Sequence, residues 1–324
     1  MMANKITAAS AGRRSQFCSR GLRFVPCAFR FSRLNSFAMH YRIITLLGLL
    51  LLATVGSAAD TPRSVEPSVD GKRMSVWLEE YQRSIPKPEY LGDPQMHARA
   101  EAAVRKVGTN AIPWPLQELS AKEATRGDDL PTNFYSGEAI GRRWLATAAF
   151  EILGASVKGA TPSLIPLLDE KQTSYTAATA LGGIGVDSIP VLTQALTNTH
   201  ACARESAARV LGLFGAKAQS AVPALIRCAA DKDDPVRGFA TFSLGQIGRE
   251  PDLVVPVLIT NLRDPYHSAR WNAACALGKF GDKAKPAVPA LLQVLHESDP
   301  DVRDIAADAL RQIDPEAAAK ADIK

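Results

Sequence analysis

The sequence predicts an all-α solenoid of about six to seven stacked helix pairs, and three observations predict it. Pro190, Pro223, Pro256 and Pro289 stand 33 residues apart, each behind a branched apolar residue: Ile189, Val222, Val255 and Val288. Fourteen residues after each proline comes an arginine (Arg204, Arg237, Arg270, Arg303), and leucines follow at the same interval as Leu211, Leu244, Leu277 and Leu310. Finally, the apolar spacing is helical throughout, and no stretch reads as a sheet.

Each unit divides into two helices. Proline suits the first turn of the first helix, where its missing N–H is not needed and its fixed φ is already helical. Leu225, Ile226 and Ala229 continue that helix, with Leu258, Ile259, Leu262 and Leu291, Leu292, Leu295 as their counterparts. A polar break such as Asp231 to Pro235 ends it. The second helix carries Ala240, Leu244 and Ile247, then Ala273, Leu277 and Phe280, then Ala306, Leu310 and Ile313. Glycine pairs (Gly212 and Gly215, Gly245 and Gly248, Gly278 and Gly281) are expected to stop it through a left-handed turn. One 33-residue unit is too small to close a core, so neighbours must bury each other's stripes. Alanines such as Ala207, Ala208, Ala273 and Ala274 permit close stacking.

Weaker copies extend toward the N-terminus. Residues 161–320 form the regular array, opening with a unit two residues short in which Ser174 replaces the arginine. Residues 74–160 hold divergent units, with an insertion at 120–138 of about nineteen residues. Residues 60–73 read as a linker, being rich in Pro, Ser and charge.

The formal charge of +5 is unevenly placed. Residues 1–59 hold eight Lys or Arg and no acid, leaving 30 basic against 33 acidic residues from position 60 onward, a net of −3. That argues against nucleic acid as a partner. From Met39, the chain reads Arg42, the apolar run Ile43 to Val55, then Gly56, Ser57, Ala58 and Ala59. Residues 39–59 are therefore expected to be a secretory signal cleaved near Ala58 or Ala59, which places the mature protein in the periplasm or outside the cell. This thirteen-residue run spans only about 20 Å as a helix, so no stable membrane anchor is expected after cleavage. Two readings of residues 1–38 stay open: an extension upstream of a true start at Met39, or an organellar transit peptide, since the stretch is rich in Arg and Ser and free of acids. Cys202, Cys228 and Cys275 follow the leader; an odd number at irregular spacing makes no disulfide framework, although a single Cys202 to Cys228 bridge stays open.

The units AVPALIRCAADKDDPVRGFATFSLGQIG and AVPALLQVLHESDPDVRDIAADALRQI closely resemble HEAT repeats, of the short bacterial type also found in phycobilisome lyases. The resemblance runs over roughly residues 74–320, is strongest over 189–313, and implies an armadillo-type superhelix. It also implies a structural ladder, in which an acid six positions before each arginine pairs with arginines along the stack. Asp231, Asp264 and Glu297 stand six before Arg237, Arg270 and Arg303, while Asn198 stands before Arg204.

Deoxyhypusine hydroxylase resembles this fold and holds two irons through repeated His-Glu pairs. Only His296 with Glu297 forms such a pair here, in a chain with five histidines, so no metal, cofactor or catalytic residue is assigned. The glycines at Gly182 to Gly185 sit in a helical repeat rather than between a strand and a helix, which does not suit phosphate. The expected role is a non-catalytic scaffold for a protein or peptide; the alternative is an enzyme accessory or lyase-like subunit handling a chromophore or modifying complex.

In solenoids of this resemblance the second helices line the concave face, and residues one and five after the arginine point outward. These are Glu205 and Arg209, Gly238 and Phe242, Trp271 and Cys275, Asp304 and Asp308. Phe242, Trp271 and Cys275 form the candidate partner patch, with closure of the aromatics over Gly238 as the alternative. Phe134 and Tyr135 in the insertion are the second candidate.

Overall fold

The computed structural model describes residues 64–86, 92–121 and 138–321. Residues 39–59, expected to be a secretory signal, and the insertion candidates Phe134 and Tyr135 lie outside the described residues. No described helix is long and apolar enough to cross a membrane.

Seven helix pairs follow one another among the described residues. They are α1 (Met74–Ser84) with α2 (Pro94–Val107), α3 (Pro113–Ser120) with α4 (Glu138–Leu153), and α5 (Thr161–Leu164) with α6 (Ser174–Ile184). Next come α7 (Ile189–Ala195) with α8 (Ala201–Leu213), α9 (Val222–Cys228) with α10 (Asp234–Ile247), α11 (Pro251–Asn261) with α12 (His267–Phe280), and α13 (Val288–Val294) with α14 (Pro300–Ile313). A last short helix, α15 (Pro315–Lys320), covers the end. The architecture is an all-α solenoid. From α4 onward, each second helix packs on the second helix of the next pair, whereas successive first helices barely touch.

The interior is continuous from Met74 to Ala318. Leu211, Leu244, Leu277 and Leu310 are fully buried, as are Val222, Leu225, Leu258 and Leu291 from the first helices. Removing any of these leucines would leave a cavity costing about 2–5 kcal/mol, a large share of a domain's stability.

Three local expectations are corrected. The first concerns sheet: Ser68–Val69 pairs antiparallel with Lys72–Arg73 inside the segment read as a linker. Asp70 (φ 52°) and Gly71 (φ 77°) make the turn, a dipeptide that favours the left-handed conformation. The Trp77 indole then donates to the Val69 carbonyl at 3.1 Å and fixes the hairpin on α1.

The second concerns Pro256, expected in a first turn, which lies inside α11. Its neighbours enter their first helices through a tight 3-10 turn, Gly215–Ala221 before α9 and Gly281–Ala287 before α13. Here Glu250 takes a left-handed conformation (φ 54°) and Pro251 starts the helix four residues before Val255, the counterpart of Val222 and Val288. Pro256 therefore occupies an interior position without a backbone donor.

The third concerns the glycine pairs, whose members do different work. Only the second of each pair has positive φ and turns the chain, as Gly215 does at φ 54°. The first lies inside the second helix, facing the next one. A Cβ on Gly245 would stand 2.5 Å from the Ala276 Cβ and 3.0 Å from its Cα, and one on Gly212 would collide with the Ser243 side chain. On Gly278 the nearest fixed atom, the Ala309 Cα, is 3.2 Å away.

That contact decides a competition. Gly245→Ala gains about 1 kcal/mol of helix propensity but forces apart two helices whose clashing atoms cannot rotate away, at about 1–3 kcal/mol. Gly245→Ala is expected to lower the thermal midpoint, and Gly278→Ala to lower it less. Melting curves of the two variants check this order.

Candidate functional site

The ladder arginines sit at the starts of the second helices and are largely buried. Arg237 binds Asp264 of the next unit in bidentate fashion, Nε to Oδ2 at 2.7 Å and Nη2 to Oδ1 at 2.9 Å. Its Nη1 donates backward to the Asp231 carbonyl at 3.0 Å, and Nη2 also reaches Asp234 Oδ1 at 2.6 Å. Arg204 repeats the pattern with Asp231 at 2.7 and 2.8 Å, Asp233 at 2.6 Å, and the Asn198 and Thr199 carbonyls at 2.9 and 3.0 Å. Each aspartate thus serves three groups. Its carboxylate takes the preceding unit's arginine and the N–H two residues on, and its carbonyl takes its own unit's arginine.

The next rung is looser. Arg270 Nε stands 3.3 Å from Glu297 Oε2 and Nη2 stands 3.6 Å from Asp299 Oδ2, while Nη1 keeps its carbonyl bond to Asp264 at 2.9 Å. No bond from Glu297 to an N–H two residues on is among its contacts; Asp299 instead caps α14, accepting from Asp301 N at 3.0 Å. Arg303, at the end, donates Nη1 to the Glu297 carbonyl at 2.7 Å and has no carboxylate partner among the described residues.

Toward the N-terminus the same positions are filled differently. Asn198 donates to Asp169 Oδ1 at 2.7 Å, and the buried Ser174 hydroxyl donates to the Cys202 carbonyl at 2.7 Å. Arg143, also buried, donates to the Ala121 carbonyl and, at 3.3 Å, to that of Gln172 in the next unit. Arg143 was readable: counting eleven residues back from the turning glycine gives Arg204 from Gly215 and Arg143 from Gly154.

Burial alone would raise the pKa of Asp264, but the Arg237 hydrogen bonds, the Tyr266 N–H and the nearby guanidinium charges outweigh it and hold the carboxyl below its usual range. Asp231 is lowered in the same way, with Arg204 and the Asp233 N–H opposing its burial. Because these pKa values are depressed on folding, the stabilisation is complete above about pH 4 and is lost as pH falls through the folded-state values.

The outward side of the second helices carries aromatic rings interleaved with charge. Trp144 of α4 and Tyr175 of α6 have ring centroids 5.8 Å apart. The Arg209 guanidinium of α8 lies 4.4 Å above the Tyr175 ring and 5.1 Å from the Phe239 ring of α10. Phe242, Trp271 and Cys275 are half-buried, and Trp271 and Cys275 rest on the core. The ring over Gly238 belongs to Tyr266, whose Cε1 stands 3.0 Å from where a β-carbon would be. Burial raises the pKa of Glu205 against the pull of Arg209 and Lys171. Trp144, Tyr175 and Phe239 extend the expected patch; the first two follow Arg143 and Ser174 by one residue, the register that gives Trp271 after Arg270.

Other candidates have structural explanations. His267, Asp299 and Asp301 come together, but Asp299 is shared between the cap of α14 and Arg270. Cys202, Cys228 and Cys275 are free thiols, and the first two donate to carbonyls of Leu168 and Leu196 rather than to each other. Burial pushes the Cys228 thiol up to about 11, which makes it unreactive at neutral pH. His296 is exposed beyond the end of α13.

Two outcomes test the ladder. Arg237→Ala leaves Asp264, with a side chain only 7% exposed, without its cation and is expected to cost about 3 kcal/mol in chemical denaturation. Asp264→Asn should flatten the loss of stability that the unaltered protein shows on acidification below about pH 4, measured by melts across pH 2 to 7.

A family model described as HEAT repeats matches residues 161–245, 189–266 and 255–321. No curated protein matches the chain. Among solved structures, it is similar to an engineered protein at 20% identity over 86% of this chain and 70% of that one, with a TM-score of 0.41. It is similar to a designed armadillo repeat protein in complex with the peptide (KR)4 at 15% identity over 75% of this chain and 100% of that one, with a TM-score of 0.41. It is also similar to the complex of CpcE and CpcF of phycocyanin lyase from Nostoc at 19% identity over 82% and 97%, with a TM-score of 0.36. The repeat columns, the rungs between units and the family match together make this chain a HEAT-repeat protein.

Proposed function

We propose that this protein is an exported, non-catalytic scaffold that binds a protein or peptide partner on the outward side of its second helices. The observation that carries the reading is the run of half-buried aromatic side chains on four second helices, Trp144, Tyr175, Phe239, Phe242 and Trp271, with Arg209 of the intervening helix held between two of the rings. Rings that are part packed and part exposed offer large contact area at little cost in side-chain entropy, and a rigid helical support keeps them in place. Arg204, Arg237 and Arg270, the strongest hydrogen-bonding groups within the array, are committed to joining units. Along the second helices, recognition therefore falls to the stripe rather than to these rungs.

A photo-reactive residue placed at Phe242 should cross-link one discrete protein in the native compartment. Trp271→Ala should weaken that partner's binding by about thirtyfold, a central aromatic contributing about 2 kcal/mol, while the thermal midpoint reports that the fold is kept. Unchanged binding by Trp271→Ala would remove this face as the docking site. Export rests on the form of residues 39–59, and N-terminal sequencing of the mature protein should begin at Ala59 or Asp60. A mature chain beginning at Met1 or Met39 would contradict it.

A further inference from the structure

We propose a second binding site, independent of the second-helix stripe, beside the last described helix pair: a cleft that takes an acidic partner segment, one with a carboxylate beside an apolar side chain. The interior rungs define the chemistry. Arg204 and Arg237 each make the same two sets of bonds, one backward to carbonyls of their own unit and one forward, bidentate, to an aspartate of the next. Arg303 makes the backward bond to the Glu297 carbonyl at 2.7 Å, and among the described residues no carboxylate takes its forward bonds.

Arg303 does not face open solvent. It lines a cleft of about 780 Å³ between the end of α13, α14 and α15. Leu292, Leu295 and Ala307 form an apolar floor, and His296 and Lys320 join Arg303 at the edge. Among the described residues Asp304 is the one acid lining it, so there two permanent cations face one carboxylate. A planar guanidinium matches a carboxylate with two parallel bonds, as the interior rungs demonstrate, and the floor suits an adjoining leucine-like side chain. The occupant is thus an acidic peptide segment of a partner.

The test is fluorescence anisotropy at low salt with a fluorescein-labelled hexapeptide ALDDLA, using ALNNLA and ALKKLA as controls. ALDDLA is expected to bind about tenfold more tightly than ALNNLA, with no binding of ALKKLA. Arg303→Gln should remove that preference. Lys320→Glu, at an exposed position, should weaken ALDDLA about fivefold and decides the matter if Arg303→Gln does not fold. Trp271→Ala should leave ALDDLA binding unchanged, so failure here is separable from failure of the stripe. Equal affinity for ALDDLA and ALNNLA, or insensitivity to both charge substitutions, would overturn the proposal. So would a rise in affinity on removing residues 322–324, which would assign the site to the chain's own end.

Discussion

Successive second helices meet where one of them has no side chain. Gly212 faces Ser243, Gly245 faces Ala276 and Gly278 faces Ala309, so backbones approach more closely than any larger residue would allow. The other features follow from that distance. With the second helices this close, an arginine at the start of one reaches the aspartate loop of the next, 27 residues further along the chain. The first helices, with bulky Leu225, Leu258 and Leu291 beneath them, fill the interior without having to touch each other.

The ladder contributes register more than net stability. Taking an ion pair out of water costs most of what the attraction returns, and apolar replacements of buried pairs are often neutral. What an Arg–Asp rung adds is that a unit displaced along its neighbour would bury both charges unpaired. This chain also closes the position with neutral groups, Ser174 on the Cys202 carbonyl and Asn198 on Asp169. Those units keep the close helix contact, which places packing ahead of charge in the hierarchy. With Arg204, Arg237 and Arg270 committed between units, the aromatic rings beside them are what this part of the second-helix surface presents outward.

The period, the two-helix unit and the positions of ladder arginines were legible in the sequence because each is repeated at fixed spacing. The direction of the pairing was not, since a column of arginines beside a column of acids does not say which unit each one serves. The in-helix glycines were misread as terminators because sequence records a missing side chain without recording what approaches it. Pro256 was misplaced because its column is shared with prolines that do begin helices, and only the left-handed Glu250 shifts the start to Pro251. Of the candidate face, Phe242 and Trp271 were legible by register. Trp144 and Tyr175 were obscured by the insertion and by the shortened unit, which break the count from proline but not the count back from glycine.

Each pair is held by faces that repeat at every 33 residues, so that one unit can stand in for another. Deleting residues 222–254 removes one whole period and joins Ala221 to Val255, bringing Arg204 opposite Asp264 and Gly212 opposite Ala276. Calorimetry of that shortened chain is predicted to show a folded protein with one cooperative transition at a reduced midpoint, whereas deleting residues 225–254, three short of a period, abolishes it. Equal folding of the two deletions, or separate melting of the segments on either side of the junction, would contradict a stack built on interchangeable faces.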